Sequence, residues 1–213
     1  MEVLVNCDGV RVRYTSRFAS ASSVGPFSFS LGSSAIHAFE GPNGCGKSTV
    51  LRSIAGLQPH EGTIDIRIPR SQIVYIPQRP SQVLVPWLTL DDHIRAFGAR
   101  GDSSHLEGLR EVLDQLQWPA EKRLDATTPA MLSVGLRQVF SIAAGLSRPE
   151  ARLFLLDEPF SALDAARRER VSRRVIEMCE GQGSTFLIAT HLPLDHPRVA
   201  RLDLFRDLGS MAA

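Results

Sequence analysis

A glycine-rich segment at residues 41–49 constrains the fold of this chain more than any other feature of its sequence. Its members are Gly41, Pro42, Asn43, Gly44, Cys45, Gly46, Lys47, Ser48 and Thr49. The segment follows a short apolar run, residues 35–39, so we expect a buried strand, a tight turn and then a helix. Glycines in such a turn let successive backbone N–H groups point into one concavity, which suits an anion.

Residues around this turn carry the chemistry that a bound triphosphate requires. The helix that is predicted to begin near Lys47 adds the positive end of its dipole. The Lys47 ammonium can reach the terminal phosphates, and the Ser48 hydroxyl can bind the magnesium ion that accompanies them. The alternative is a glycine-rich turn with an incidental lysine, but every residue that the chemistry requires is present. We therefore predict a phosphate-binding loop at residues 41–49.

Four more motifs place polar residues at the end of a predicted strand or at the start of a predicted helix. In chain order they are Gln78, the helix-opening segment 132–136 with Ser133 and Gly135, the pair Asp157 and Glu158, and the pair Thr190 and His191. A phosphate-binding loop alone is a moderately specific sign of nucleotide binding. With these four motifs in this order and at these separations, the chain resembles the nucleotide-binding subunit of ATP-binding cassette (ABC) proteins. The resemblance extends from about residue 10 to residue 191.

Asp157 and Glu158 end an apolar run that is predicted to be a buried central strand. Desolvated carboxylates are costly unless they are paired or bound to a metal. Asp157 is the expected partner of magnesium, directly or through water. Glu158 is predicted to point the other way and to act as the general base that polarises the attacking water. The alternative is a pair of acids that caps the turn at Pro159.

The resemblance implies roles for three further polar residues. His191 matches the histidine that contacts the terminal phosphate and holds the water in line, although a histidine at a strand end can also be structural. Gln78 matches the glutamine that senses the metal and the water and leads into a helical insertion. Asp164 resembles a residue of the loop that crosses a dimer interface. Its alternative role, as the N-cap of the next helix, is compatible with the first.

The segment 132–136, which contains Ser133, implies a dimer. In ABC proteins each nucleotide lies between the phosphate-binding loop of one subunit and this signature segment of another, and this chain has one of each. The resemblance therefore implies pairing with an identical or a similar ATPase chain. Val134 and Leu136 depart from the usual Leu-Ser-Gly-Gly-Gln, and a β-branched side chain restricts the turn. We expect a competent but slow half-site, with a nearly inactive one as the alternative.

An aromatic ring before the phosphate-binding loop is also implied by the resemblance, where it stacks on adenine. We predict Tyr14 for this role and Phe18 as the second candidate, while burial of Tyr14 in the core is the alternative. Cys45 lies within the loop, so reagents that modify thiols are expected to block nucleotide binding.

Periodicity predicts the fold class. Residues 10–14 and 27–31 alternate apolar with polar side chains, as antiparallel strands do, whereas the order strand, helix, strand after residue 149 indicates a parallel sheet. Residues from about 89 to 118 read as helical, and a helical stripe runs through Leu132, Leu136, Val139, Phe140, Ala143 and Leu146. We predict one α/β domain over residues 1–213. It comprises a P-loop NTPase core (1–78 and 150–213) with a mainly parallel sheet, an N-terminal antiparallel β subdomain and an inserted α-helical subdomain (about 79–149).

Composition narrows the possible partners and location. A formal net charge of +1 gives no long-range field to attract nucleic acid. The longest apolar stretches are too short to span a bilayer, and the first residues lack the features of a signal peptide. We therefore expect a cytoplasmic chain, peripheral on the inner face of the cell membrane, that reaches the membrane only by docking on another polypeptide.

The apolar segment 83–88 is the candidate docking surface, with local packing as its alternative. In transport ATPases this region forms the groove that receives a short coupling helix of the membrane permease. Its Pro-Trp-Leu-Thr string resembles the ATPases of importers for nitrate, sulfonates and related small organic solutes. The function implied is an ATPase that uses ATP and Mg²⁺ to power transport through a separate permease. The alternatives are a soluble ABC-type ATPase that is not coupled to transport, and a GTPase or other P-loop enzyme.

Overall fold

The structure, a computed structural model, describes residues 2–14, 22–97, 103–191, 196–197 and 199–203. Phe18, the second candidate for adenine stacking, lies outside these residues. The strands are β1 (Val3–Tyr14), β2 (Ser22–Gly32), β3 (Ile36–Glu40), β4 (Glu61–Ile66), β5 (Ile73–Ile76), β6 (Leu153–Asp157), β7 (Thr185–Ala189) and β8 (Val199–Asp203). The helices are α1 (Lys47–Ile54), α2 (Leu90–Phe97), α3 (Ser103–Gln115), α4 (Val134–Leu146) and α5 (Ala165–Gln182).

The strands form two sheets of different type, as the periodicity predicts. β1 pairs antiparallel with β2 and with β4, in a sheet of order β2-β1-β4. The second sheet has the order β5-β6-β7-β3-β8, and its described pairings are parallel. The predicted α/β class, with a mainly parallel sheet, an antiparallel β subdomain and inserted helices, is thus confirmed.

Alternate residues of the central strand β6 pack into two different apolar clusters, because successive side chains of a strand point to opposite faces. On one face, Leu153 and Leu155 pack with residues of α1 and of the antiparallel sheet. On the other face, Phe154 and Leu156 pack with residues of α3, α4 and α5. Both faces of β6 are covered, which explains its continuously apolar sequence.

The region between residues 79 and 149 is helical, but its elements are shorter than the pattern suggests. Between residues 89 and 118 the structure describes two helices, α2 and α3, and residues 98–102 lie outside the described chain. The predicted stripe on α4 faces the interior, with Leu136 only partly buried. Apolar residues of this region and of the parallel sheet form one continuous cluster, so the limits of the helical subdomain stay a prediction.

Candidate functional site

Four neighbouring strands of the parallel sheet deliver the sequence motifs to one edge. β5 leads to Gln78, and its neighbour β6 leads to Asp157 and Glu158. Next in the sheet, β7 leads to His191, and β3 leads to the loop 41–49. Because the strands are parallel, these ends lie along the same edge of the sheet, which is where ligands bind in open α/β folds. Motifs far apart in the sequence therefore meet at one cleft.

The phosphate-binding loop turns into α1 through a glycine that no other residue can replace without strain. Gly46 is the N-cap residue of α1 and has a φ of 107°. That φ is unfavourable for any residue with a Cβ, and a Cβ here would also collide with the side chain of Val24 on β2. The loop can therefore lie close against the antiparallel sheet. Gly44, Gly46 and the first turn of α1 line the cleft, and the leading N–H groups of that turn have no carbonyl partner within the helix.

Lys47 lies buried on the floor of this cleft. Its Nζ donates to the carbonyl oxygens of Gly41, at 2.7 Å, and Pro42, at 3.2 Å. The same Nζ is 3.8 Å from Glu158 Oε1, and both side chains are almost fully buried. The positive charge of Lys47 is thus fixed between the loop backbone and a carboxylate.

Asp157 has a different set of partners from its neighbour Glu158. The Ser48 hydroxyl donates to Asp157 Oδ1 at 2.8 Å, and the Tyr75 hydroxyl donates to Oδ2 at 3.1 Å. Burial, and next the nearby Asp157 charge, raise the pKa of Tyr75 to about 12. Tyr75 therefore keeps its proton at neutral pH and acts as a donor to the carboxylate.

Glu158 occupies a strained backbone conformation that directs its carboxylate into the cleft. Its φ of 47° lies in the left-handed region, which costs a residue other than glycine about 1–2 kcal/mol. The Glu158 N–H donates to the carbonyl oxygen of Ala189 at 2.8 Å, and the Glu158 carbonyl oxygen accepts from the Ser161 hydroxyl at 3.0 Å. Glu158 Oε2 is 2.8 Å from His191 Nδ1. The predicted base and the predicted histidine are thus in direct contact, across β6 and β7.

Tyr14 lies at the rim of the cleft and is not a core residue. Its side chain is 37% exposed, so burial in the core does not explain it. Its hydroxyl is 2.8 Å from Thr49 Oγ1, which fixes the ring relative to the phosphate-binding loop. The cleft has a volume of about 430 Å³ and is also lined by Asn43, Gln78 and Glu158. Cys45 is half-buried and packs against the apolar cluster beneath the loop.

The segment 132–136 belongs to another part of the surface. None of its residues is among the described residues that line the Lys47 cleft. Ser133 is the N-cap of α4, and its Oγ accepts a hydrogen bond from the backbone N–H of Leu136 at 3.2 Å. Val134 is 58% exposed, so its side chain projects into solvent. A Cβ on Gly135 would lie 3.0 Å from the carbonyl oxygen of Ala162, so glycine permits the first turn of α4 to lie close to the loop between β6 and α5.

Asp164 is the N-cap residue of α5, which is one of the two roles that the sequence predicts for it. Its Oδ1 accepts from the backbone N–H of Arg167 at 2.8 Å, and its Oδ2 is 3.1 Å from the Arg167 guanidinium. The side chain remains 57% exposed. A role at a dimer interface is therefore compatible with the cap and stays a prediction.

Sequence reasoning missed Tyr75. It stands in the apolar strand β5, three residues before Gln78, where its β-propensity and apolar ring give no sign of a role at the site. The only available signal was a hydroxyl in a run of isoleucine and valine. Its contact with Asp157 depends on β5 lying beside β6, across 82 residues of chain.

The sequence and the fold of this chain are similar to those of known proteins. The profile of the ABC transporter family matches residues 24–161. An aliphatic sulfonates import ATP-binding protein of Burkholderia cenocepacia is 37% identical over 158 residues, or 71% of this chain. A protein of the same description from Pseudomonas syringae pv. tomato is 35% identical over 176 residues, or 82% of this chain and 71% of that protein. A solved ATP-binding subunit of an ABC transporter has 28% identity and a TM-score of 0.75, over 89% of this chain and 80% of that one.

The region that aligns with this chain covers only part of the length of these relatives. It spans 56% of the length of the Burkholderia protein. Within the described residues, no helix combines the length and the apolar character that a membrane crossing needs.

Proposed function

This chain belongs to the ABC transporter family, and from that premise we propose that it binds and hydrolyses ATP to power solute transport through a separate membrane permease. The observation that supports this most is the meeting of a buried lysine, a hydroxyl–carboxylate pair and a glutamate–histidine pair in one cleft. The cleft volume of about 430 Å³ is in the range of small-molecule sites.

The two ends of the cleft suit the two ends of ATP. Tyr14, held by Thr49, offers the face of its ring to adenine. The glycine-rich loop and the start of α1 offer backbone N–H groups to the phosphates, and Lys47 adds a positive charge. Together these groups bind a nucleoside triphosphate along the length of the cleft.

The donor set beside the phosphates fits Mg²⁺. This ion prefers oxygen ligands, keeps several waters and takes few protein ligands when substrate phosphates complete its shell. The Ser48 hydroxyl and the Asp157 carboxylate lie 2.8 Å apart, and the Gln78 amide lines the same cleft. We assign these three residues to the metal, which would neutralise charge on the terminal phosphates.

Glu158, His191 and Gln78 carry the hydrolysis in this proposal. A Glu158 oxygen accepts the proton of the attacking water, which makes the water a better nucleophile towards the terminal phosphorus. His191, bonded to the other Glu158 oxygen, holds the carboxylate in place and reaches the terminal phosphate. Gln78, which also lines the cleft, positions the water and connects the site to the helical region.

A second copy of the chain, or a similar ATPase subunit, completes the site. Segment 132–136 and the cleft that contains Lys47 are separate surfaces of one chain, so one nucleotide does not use both within a monomer. Ser133 and the N-terminus of α4 provide another anion-binding surface, open to solvent. A two-fold dimer would place each Ser133 over the phosphates held by the Lys47 of its partner.

Restoring the common signature is expected to accelerate hydrolysis. In the Val134→Gly variant, the exposed β-branched side chain no longer crowds the partner's phosphates, so we expect the ATP turnover rate to rise by roughly threefold or more. Leu136→Gln is expected to add less, because Leu136 packs partly against the apolar cluster. Steady-state phosphate release measures both. Rates equal to that of the wild type would show that the departures are neutral.

The exposed part of the segment 83–88 is the proposed contact with the permease. Trp87 is 77% exposed and Val83 is 37% exposed, whereas Leu84 belongs to the core, so the surface is narrower than the sequence suggests. Pro86 accepts a backbone hydrogen bond from Ala130, which places the 63% exposed Met131 near Trp87. The relatives named above suggest an importer, and a small organic anion such as a sulfonate as its solute. Attachment to the permease would place the chain at the cytoplasmic face of the membrane.

Trp87→Ala is the test of coupling to a permease. Loss of a central exposed tryptophan costs an interface about 2 kcal/mol or more, so association with the co-expressed permease should weaken by roughly thirtyfold. Leu57→Ala is the matched control, because Leu57 is 62% exposed but lies in the turn that follows α1, outside the segment 83–88. Co-purification and stimulation of ATP turnover by the permease are measured. ATPase activity without any permease partner would favour the soluble ABC-type ATPase.

A further inference from the structure

Tyr75 closes a ring of contacts around the proposed metal ligand. Ser48 and Arg52 lie one turn apart on α1, and Asp157 ends β6. Ser48 donates to one oxygen of Asp157 and Tyr75 donates to the other. The Arg52 side chain lies beside the Tyr75 hydroxyl. The ring therefore runs from α1 to β6, to β5 and back to α1.

This ring restricts the Asp157 carboxylate more than a single contact would. A carboxylate held by one oxygen can still rotate about its last torsion, whereas donors on both oxygens define its plane. Asp157 is only 2% exposed, so water cannot substitute freely for a lost donor. Mg²⁺ demands near-ideal octahedral geometry, so the orientation of its ligand carboxylate matters.

We propose that Tyr75 is a positioning residue for Mg²⁺, and that its hydroxyl holds Asp157 so that Oδ1 faces the ion beside Ser48. The proposal rests on the function proposed above. Tyr75 acts through Asp157 and does not touch the nucleotide. Hydrogen bonds from residues behind a metal ligand fix its orientation, and their loss typically weakens metal binding by about 10- to 100-fold.

The alternative is that Tyr75 serves only as an apolar ring. Its side chain does pack against the cluster beneath α1. In that case phenylalanine would do equally well, because it keeps the ring and removes only the hydroxyl. The two explanations therefore differ in a single atom.

Tyr75→Phe tests the proposal, and the chain provides a matched control. Trp118→Phe likewise removes the polar hydrogen of an aromatic ring, but away from the cleft, because Trp118 Nε1 donates to the carbonyl oxygen of Lys122 at 2.8 Å. The affinity for a fluorescent ATP analogue is measured with saturating EDTA and across a Mg²⁺ titration. For Tyr75→Phe we expect wild-type affinity in EDTA and a roughly tenfold higher Mg²⁺ concentration for half-maximal enhancement. Trp118→Phe should leave the Mg²⁺ midpoint unchanged.

Two results would overturn the proposal. One is a wild-type Mg²⁺ midpoint in Tyr75→Phe, and the other is an equal loss of affinity with and without Mg²⁺, which indicates a structural role. If Tyr75→Phe does not fold, Tyr75→Met decides, because it also removes the hydroxyl and its flexible side chain fills irregular apolar gaps. It should raise the Mg²⁺ midpoint by roughly tenfold, and an unchanged midpoint counts against the proposal. A wild-type chain that binds no nucleotide would instead contradict the function itself.

Discussion

Replacing Glu158 by glutamine is expected to slow ATP turnover by roughly a thousandfold, because the amide cannot accept the proton of the attacking water. The substitution keeps the size and shape of the side chain, so nucleotide affinity should remain within about threefold of that of the wild type. It also removes a negative charge from beside the terminal phosphate. The variant should therefore bind ATP without consuming it.

Phosphate release and equilibrium binding of an ATP analogue separate these two effects. Glu150→Gln is the control, since it makes the same chemical change at an exposed position after α4. Turnover by Glu158→Gln at a rate close to that of the wild type would remove Glu158 from the role of general base. Loss of binding together with turnover would assign it instead to the structure of the cleft.

Replacing Lys47 by alanine is expected to weaken ATP binding by about a hundredfold. Lys47 is a buried cation at the floor of the cleft, and charge-assisted hydrogen bonds to phosphate are each stabilising by about 1.5–3 kcal/mol. The substitution also leaves Glu158 without the cation 3.8 Å from its carboxylate. An unpaired buried carboxylate repels an incoming phosphate, which adds to the loss.

The sequence provides a matched control for the Lys47→Ala experiment. Its lysines are Lys47 and Lys122, so Lys122→Ala removes the other ammonium group of the chain. Lys122 is not among the described residues that line the cleft, and its loss should leave the ATP affinity unchanged. Equal affinities of Lys47→Ala and Lys122→Ala would refute the proposed phosphate site.

The sequence predicts that motifs at strand ends lie close together, because parallel strands place their carboxyl ends at one edge of the sheet for any conformation of the loops. Once residues 35–39 and 153–157 were recognised as buried strands, Lys47 and Asp157 had to meet at one edge of the sheet. The same reasoning predicted α4 and its cap at Ser133, since a helical stripe and an N-cap residue are local signals.

Contacts that depend on strand order could not be predicted in the same way. The Tyr75–Asp157 hydrogen bond requires β5 to lie next to β6, and nothing in the chain between these residues, which are 82 positions apart, specifies that neighbour. The position of Tyr14 depends similarly on a hydroxyl of Thr49, 35 residues away. Leu84 is buried although the adjacent Val83 is exposed, because Leu84 packs into the apolar cluster with the helices, which no local pattern indicates.

The most direct test of a site shared between two chains is a mixing experiment with two inactive variants. Lys47→Ala lacks one half of each site and Ser133→Arg blocks the other half, so neither homodimer contains an intact site. In an equal mixture, half of the dimers pair one variant with the other, and each of these has one intact site. We predict recovery of roughly a quarter of the wild-type ATP turnover. A mixture as inactive as its two components would contradict the shared site, and so would full activity of Ser133→Arg alone.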